Sequence, residues 1–259
     1  AYDGVVQAMG GIMSITGQPG GEPTRVGTSI GDIAAGLFTA TGILAAVIHR
    51  DKTGQGQMVD VAMLDCQVAL LENAIARYTI AGEVPEPVGN RHPSITPFEP
   101  FATSDGQLMV AVGNNRMWSR FCEALGNPEL STDPRFSTNA LRTGNYEELR
   151  PLIASTMAQK STAEWVSILE NARVPNGPIN SVDMVVVDPQ VLAREMIVDV
   201  EHPVAGPTKL PGIPIKLDVT PGEINHPAPT LGQHTQEILA EILGYDAEEI
   251  TRLEEEGIF

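Results

Sequence analysis

The chain is poor in cysteine and in basic residues, and it lacks a long uninterrupted apolar run. Cys66 and Cys122 are its 2 cysteines. Both lie in apolar helical patterns, which excludes a disulfide framework and makes the cytoplasm the expected compartment. Each reads as a small buried hydrophobe. Lys and Arg number 16 against 33 Asp and Glu, a formal charge of −17. That balance excludes nucleic acid and an anionic membrane as partners. Much of the acid falls near the end, at Glu248, Glu249, Glu254, Glu255 and Glu256, where a solvated helix face explains it. The longest nearly apolar stretch, Gly36 to Ile48, is interrupted by threonines and a glycine. It is too short to cross a hydrocarbon layer of ~30 Å and predicts a buried helix.

Other signals are missing too. The start, Ala1-Tyr2-Asp3-Gly4, has neither the basic nor the apolar region of a signal peptide. It opens inside patterned sequence, as expected of a fragment whose N-terminal part is absent. There is no internal repeat and no low-complexity tract. His49, His202, His226 and His234 are scattered without metal-ligand spacing, so no metal site is expected. Gly54 and Gly56 precede a predicted strand, whereas a dinucleotide fingerprint opens a helix.

What is present divides by composition. Apolar residues make up 42% and charged residues 19%, the balance of a globular protein. Residues 1–82 are rich in Gly, Ala and Met. Val5 to Ile15 reads as buried, Thr16 to Gly21 as a loop and Ile33 to Arg50 as a helix. A short strand is predicted at Met58 to Ala62 and one helix at Leu64 to Ile80. This order suggests part of an α/β layered domain. Residues 83–97 form a linker with four prolines, Pro85, Pro87, Pro93 and Pro97. Residues 98–200 read as a small α+β domain. Its signals are a turn at Ser104 to Gln107, a strand at Leu108 to Val112, a helix marked by Met117, Phe121 and Leu125, and a capping box at Ser161 to Glu164. A strand is predicted at Met196 to Val200. Residues 201–259 then hold a Pro/Gly-rich return segment (203–229) and terminal helices near 236–243 and 247–256.

Asp32 is the residue most open to chemistry. It stands in Val26-Gly27-Thr28-Ser29-Ile30-Gly31-Asp32, where a glycine-punctuated loop enters a helix. Aspartate there is a favoured helix cap. Alternatively it is a carboxylate at a helix N-terminus, with Gly27, Gly31 and Gly36 leaving room for a bulky substrate and backbone N–H groups stabilising charge.

An ordered series of blocks runs along the chain. It includes Tyr2-Asp3, Gln7 to Gly11, Gly31-Asp32, Lys52 to Gln57, Asp60 to Asp65, Gly89-Asn90-Arg91-His92-Pro93-Ser94, Asp133 to Phe136, Val174 to Pro178, Asp188 to Gln190 and Pro227 to Thr235. This series resembles the family III CoA-transferases (CaiB/BaiF type), the group containing formyl-CoA transferase, carnitine CoA-transferase and α-methylacyl-CoA racemase. The resemblance implies an α/β fold: a Rossmann-like large domain, partial here, plus a small α+β domain, in interlocked homodimers. It implies an acyl-CoA thioester and a small carboxylic acid as substrates, with no permanently bound cofactor and Asp32 as covalent nucleophile. In a racemase the position before Asp3 holds histidine as a proton shuttle. Here it holds Tyr2, and a phenol, with an ordinary pKa near ~10, suits that role poorly. Tyr2, Asp3 and Gly31 are expected to line the substrate site. Asp3 also suits a helix cap or Asx turn. Arg91 or His92 is expected to meet a substrate carboxylate, against a turn-capping role for the histidine. The loop lacks the long glycine run of formyl-CoA transferase, which points away from formyl-CoA or oxalate. A 2-methylacyl-CoA racemase and a non-catalytic acidic binding or scaffold domain are the alternative readings.

Overall fold

Alternation of apolar residues builds the best-packed part of the molecule. The computed structural model describes residues 2–259. Strands β1 (Phe98–Ala102), β2 (Gln107–Ala111) and β3 (Asn176–Pro178) form an antiparallel sheet in that order. Leu108 and Val110 alternate with more exposed neighbours on β2, so one face of the sheet is apolar and needs a cover. Helices α6 (Asn115–Ala124), α7 (Asn139–Gly144), α8 (Tyr146–Met157) and α9 (Thr162–Asn171) accompany the sheet in sequence. Trp118, Phe121 and Cys122 of α6, Leu149, Ile153 and Met157 of α8, and Trp165 and Leu169 of α9 join Leu108 and Val110 in one buried cluster. The Trp165 indole N–H donates to the Met157 carbonyl at 2.7 Å, so its polar edge is satisfied in the core.

Local chemistry fixes the ends of these elements. Ser161 and Glu164 form the predicted capping box of α9. Asp105, in the β1–β2 turn, accepts from the Thr162 backbone N–H and hydroxyl, both at 2.8 Å. Those bonds hold the Asp105 carboxyl below its usual range and tie the turn to the helix. The short β3 was not anticipated, since Asn176-Gly177-Pro178 carries no strand-forming side chains. It pairs because β2 presents it with a free edge.

Arg142 of α7 is fully buried. Its guanidinium donates to the Thr96 carbonyl (2.7 Å), the Phe136 carbonyl (3.0 Å) and Asn115 Oδ1 (3.2 Å), and lies 5.1 Å from the Trp118 ring centroid. One cation thus closes the end of the 83–97 segment onto α6 and α7.

The first 82 residues are helical where they are regular. Helices α1 (Asp3–Met9) and α2 (Ile12–Ile15) precede α3 (Ile30–Thr53), α4 (Met63–Ala69) and α5 (Asn73–Ala81). Within the predicted buried stretch Val5 to Ile15, Val6, Gln7 and Gly10 are buried, while Val5 and Met9 are exposed. Two further expectations are corrected here. The single helix at 64–80 is broken at Leu70–Glu72, where Glu72 turns to φ 51°. Leu64, Val68, Leu71 and Ile75 keep helical spacing across the break, which disguised it. Met58 to Ala62 is not a paired strand, although Val59 and Val61 are half-buried between more exposed neighbours. That alternation is strand-like, but a ladder needs a second chain edge and none lies beside it among the described residues.

Helix α3 departs most from expectation. It runs 24 residues, about 36 Å at ~1.5 Å per residue, and is long and apolar enough to span a membrane. The apolar core Gly36–Ile48 understated it, because the helix continues through His49-Arg50-Asp51-Lys52 to a left-handed Gly54. The expected burial is also not met: Gly31 and Ala34 are buried, while Ile33, Leu37, Leu44 and Ile48 are exposed.

Residues Ala1–Ile179 form one compact unit and Asn180–Phe259 another. The second unit holds α10 (Val182–Val185), α11 (Pro189–Ala193), the hairpin β4 (Ile197–His202) and β5 (Gly206–Pro211), α12 (Thr235–Glu241) and α13 (Ala247–Glu255). Strand β5 lies inside the stretch read as an irregular return. Its prolines sit opposite Glu201 and Ile197, next to one end of the ladder and at the other, where a missing N–H is tolerated. The acidic side chains of α13 are exposed, as expected.

Removing Arg142 as Arg142→Leu orphans two buried carbonyls and should cost about 2–4 kcal/mol, read as a lower urea midpoint. Burial pushes the Cys122 thiol up to about 12. A folded pKa raised above the unfolded one contributes stability below about pH 8.5 that is lost as pH rises toward the folded value. At about pH 9, Cys122 should therefore resist iodoacetamide in the folded protein and react in urea.

Candidate active site

The first turn of α3 is held by a side chain from another helix. Its N-cap residue, Ser29, makes no capping side-chain bond. Instead the Gly31 backbone N–H donates to Asp3 Oδ1 at 2.9 Å. Asp3 Oδ2 accepts from Gln7 Nε2 at 2.8 Å, and the Gln7 side-chain oxygen Oε1 accepts from the Val26 backbone N–H at 2.9 Å. Asp3 and buried Gln7 therefore fix both the loop before α3 and its opening turn. A carboxylate suits that place, since the N-terminal end of a helix carries positive potential.

Glycine is required at 31 by packing. A Cβ there would stand 2.9 Å from Val6 Cγ2 and 3.1 Å from Asp3 Oδ1. Gly27 and Gly36 have nothing within 4 Å of such a Cβ, so they leave open space near the turn. Asp32 follows Gly31 in the first turn, within α3 and not at its cap. Its side chain is exposed, and among the described residues its carboxylate takes part in no hydrogen bond or ion pair. The arrangement offers one unengaged carboxylate at a helix N-terminus, with its neighbours Asp3 and Gly31 engaged in fixing the backbone beneath it.

The other predicted residues divide. Tyr2 begins α1, its carbonyl accepting from the Val5 and Val6 N–H groups, while 84% of the residue is exposed. His92 acts locally. Its Nδ1 accepts from the Ser94 and Ile95 backbone N–H groups, both at 3.1 Å, and its ring stacks on Phe98 with centroids 5.2 Å apart. It therefore caps its own turn. Arg91 points elsewhere, over the Tyr146 ring at 4.1 Å. It borders a cavity of about 310 Å³ also lined by Gln18, Glu99, Gln107 and Arg150. No set of three His, Cys, Asp or Glu side chains that could hold a metal occurs among the described residues.

Sequence reasoning missed Gln7 and Gln67. Both are completely buried, and Gln67 packs beneath Gly10 and Gly31 with neither amide atom paired among the described residues. The available signal was a polar residue on the inward face of an apolar helical run. Glu99, Tyr146 and Arg150 carried no signal, because they meet only through the fold.

Residues 1–235 match CoA-transferase family III. The chain belongs to that family. It is 40% identical over 243 residues to a succinate–glutarate CoA-transferase of Agrobacterium fabrum, covering 93% of this chain and 60% of that protein. It is 38% identical over 218 residues to an acetyl-CoA:oxalate CoA-transferase of Acetobacter aceti, covering 84% and 55%. The fold matches a CaiB/BaiF family protein from Brucella suis with a TM-score of 0.79 and 35% identity, covering 93% of this chain and 63% of that one. The chain thus spans less than two thirds of these relatives' length, and its mix of helices and strands agrees with the expected α/β class.

Asp3→Ala removes the acceptor for the Gly31 N–H, and Gly31→Ala forces a methyl group against Val6 and Asp3. Each should lower stability by about 1–3 kcal/mol, measured as a fall in thermal midpoint.

Proposed function

We propose that the complete protein is a CoA-transferase moving CoA from an acyl-CoA to a free carboxylic acid, with Asp32 as nucleophile. The observation that carries this reading is the unengaged Asp32 carboxylate on a first turn held by Asp3, in a chain belonging to CoA-transferase family III. The acceptor is read as a dicarboxylic acid, in keeping with the relatives named for succinate, glutarate and oxalate. Oxalate belongs with that class even though the short Gly89–Ser94 loop points away from it.

The chemistry balances without a redox partner. An Asp32 oxygen attacks the thioester carbonyl; the C–S bond breaks, and CoA leaves as thiolate from a mixed anhydride. The thiolate then attacks the Asp32 carbonyl carbon, releasing the donor acid and leaving an aspartyl-CoA thioester. The incoming carboxylate attacks that carbonyl, forming a second anhydride and freeing the thiolate again. Attack of the thiolate on the acceptor's carbonyl yields the new acyl-CoA and restores Asp32. One difficult exchange becomes four acyl transfers of similar energy. Backbone N–H groups of the first α3 turn suit the negative charge that builds on each tetrahedral oxygen.

Racemisation would need a proton acceptor opposite Asp32, and Tyr2 is a poor one at neutral pH. A purely binding role leaves the exposed carboxylate and its open glycine flanks without purpose. The complete enzyme is read as a cytoplasmic interlocked homodimer, and the exposed apolar side of α3 is a surface available for packing in it.

Incubation of the complete protein with succinyl-CoA, followed by hydroxylamine, should convert Asp32 to a hydroxamate, detected by mass on the peptide that carries it. Asp32→Asn should abolish the adduct and lower turnover by at least about 10³-fold. Turnover that survives Asp32→Asn, or heavy-water exchange at the α-carbon without an adduct, would remove the transferase reading.

A further inference from the structure

The cavity beside Arg91 has a charge arrangement that the chain as a whole does not. The protein carries −17 overall, yet this cleft brings together two guanidinium groups and one carboxylate. That carboxylate, Glu99, is 4% exposed and already committed. Its Oε2 accepts from the Tyr146 hydroxyl at 2.9 Å and from Arg150 Nε at 2.8 Å. Burial and the Glu99 charge push the Tyr146 phenol up, so it remains a donor, and the bond to Glu99 pushes Arg150 up as well. Glu99 and Arg150 therefore cancel, with the phenol as a neutral strut.

Arg91 is the charge left over. It makes no ion pair among the described residues. Its Nε is enclosed without an acceptor, while its guanidinium plane rests over the Tyr146 ring. A carboxylate is the ligand whose geometry matches a guanidinium edge. The cavity, about 310 Å³, is at the small end of ligand pockets, suited to a short acid and too small for a whole CoA. Its rim is fixed to the segment leading to Asp32. Gly89 N–H donates to the Gly17 carbonyl at 2.9 Å, and the Thr24 N–H donates to the Thr16 carbonyl at 3.0 Å, two residues before Val26.

We propose that this cleft is the seat of the second carboxylate of a dicarboxylic acceptor, with Arg91 as the group that binds it. The inference rests on the CoA-transferase reading. A monocarboxylate spends its only charge in forming the thioester, so selection by charge demands a second carboxylate. Arg91 binds that group, and the Glu99–Tyr146–Arg150 cluster holds Arg91 in place through the phenol ring.

Calorimetry on the complete enzyme without acyl-CoA gives the test, using glutarate, butyrate and adenosine 3′,5′-bisphosphate as probes. Arg91→Gln should weaken glutarate binding by about 10-fold or more, and Arg91→Lys should recover part of it. The affinity for the bisphosphate should not change. Equal glutarate affinity in wild type and Arg91→Gln overturns the proposal, as does an absence of glutarate binding by the wild type. Loss of bisphosphate binding in place of glutarate assigns the cleft to the CoA head group and also overturns it. If Arg91→Gln lowers the thermal midpoint, Arg91→Lys decides: glutarate affinity above that of Arg91→Gln supports a charge-based seat, and affinity as low as that of butyrate refutes it. Asp32→Asn should bind glutarate like the wild type. Turnover surviving Asp32→Asn would sink the nucleophile assignment, while the seat is judged by the glutarate affinities.

Discussion

The bond from the Gly31 backbone N–H to Asp3 is the contact on which the candidate site depends. Helix α3 begins without a side-chain cap of its own, and a long helix with an unsatisfied first turn would fray where Asp32 sits. Asp3 supplies the missing acceptor from α1, and Gln7 braces both Asp3 and the loop before α3. The absence of a Cβ at Gly31 lets α1 approach closely enough for this bond to form. Asp3 is thus a structural anchor, saturated by donors, while the Asp32 carboxylate, the nucleophile proposed above, is left unengaged.

Electrostatics follow the same logic at larger scale. A net charge of −17 would oppose the approach of the proposed anionic substrates, so their recognition would have to be local. The helix N-terminus at Asp32 is one local source of positive potential, and the cleft around Arg91 is a second. In that cleft Glu99 and Arg150 neutralise each other and leave one guanidinium available. The acidic residues of α13 lie on an exposed helix face, where water and counter-ions screen them.

Stability is distributed unevenly within the first compact unit. The sheet β1–β3 and its covering helices bury two tryptophans, with Arg142 fastening the incoming 83–97 segment. The helices before it bury little: α3 shows most of an apolar flank to solvent. Exposed apolar area of that extent is unfavourable in water.

Several features were fixed by local sequence alone. The capping box at Ser161–Glu164, the hairpin turn at Asp105–Gly106, the burial of Cys66 and Cys122 and the presence of α3 all depend on near neighbours in the chain. The block order that resembles family III CoA-transferases was also readable, and it placed Asp32 at a helix start. Tertiary structure decided the rest. Met58–Ala62 has strand-like alternation but no edge to pair with, whereas Asn176–Pro178 has poor strand chemistry and pairs because β2 is beside it. His92 was drawn into its own turn and Arg91 turned toward Tyr146, although the two are adjacent in sequence. Gln7 and Glu99 gained roles through partners 19 and 51 residues away. Caps and turns close within a few residues, so composition reveals them; pairing, burial and charge compensation depend on groups that only the folded chain brings together.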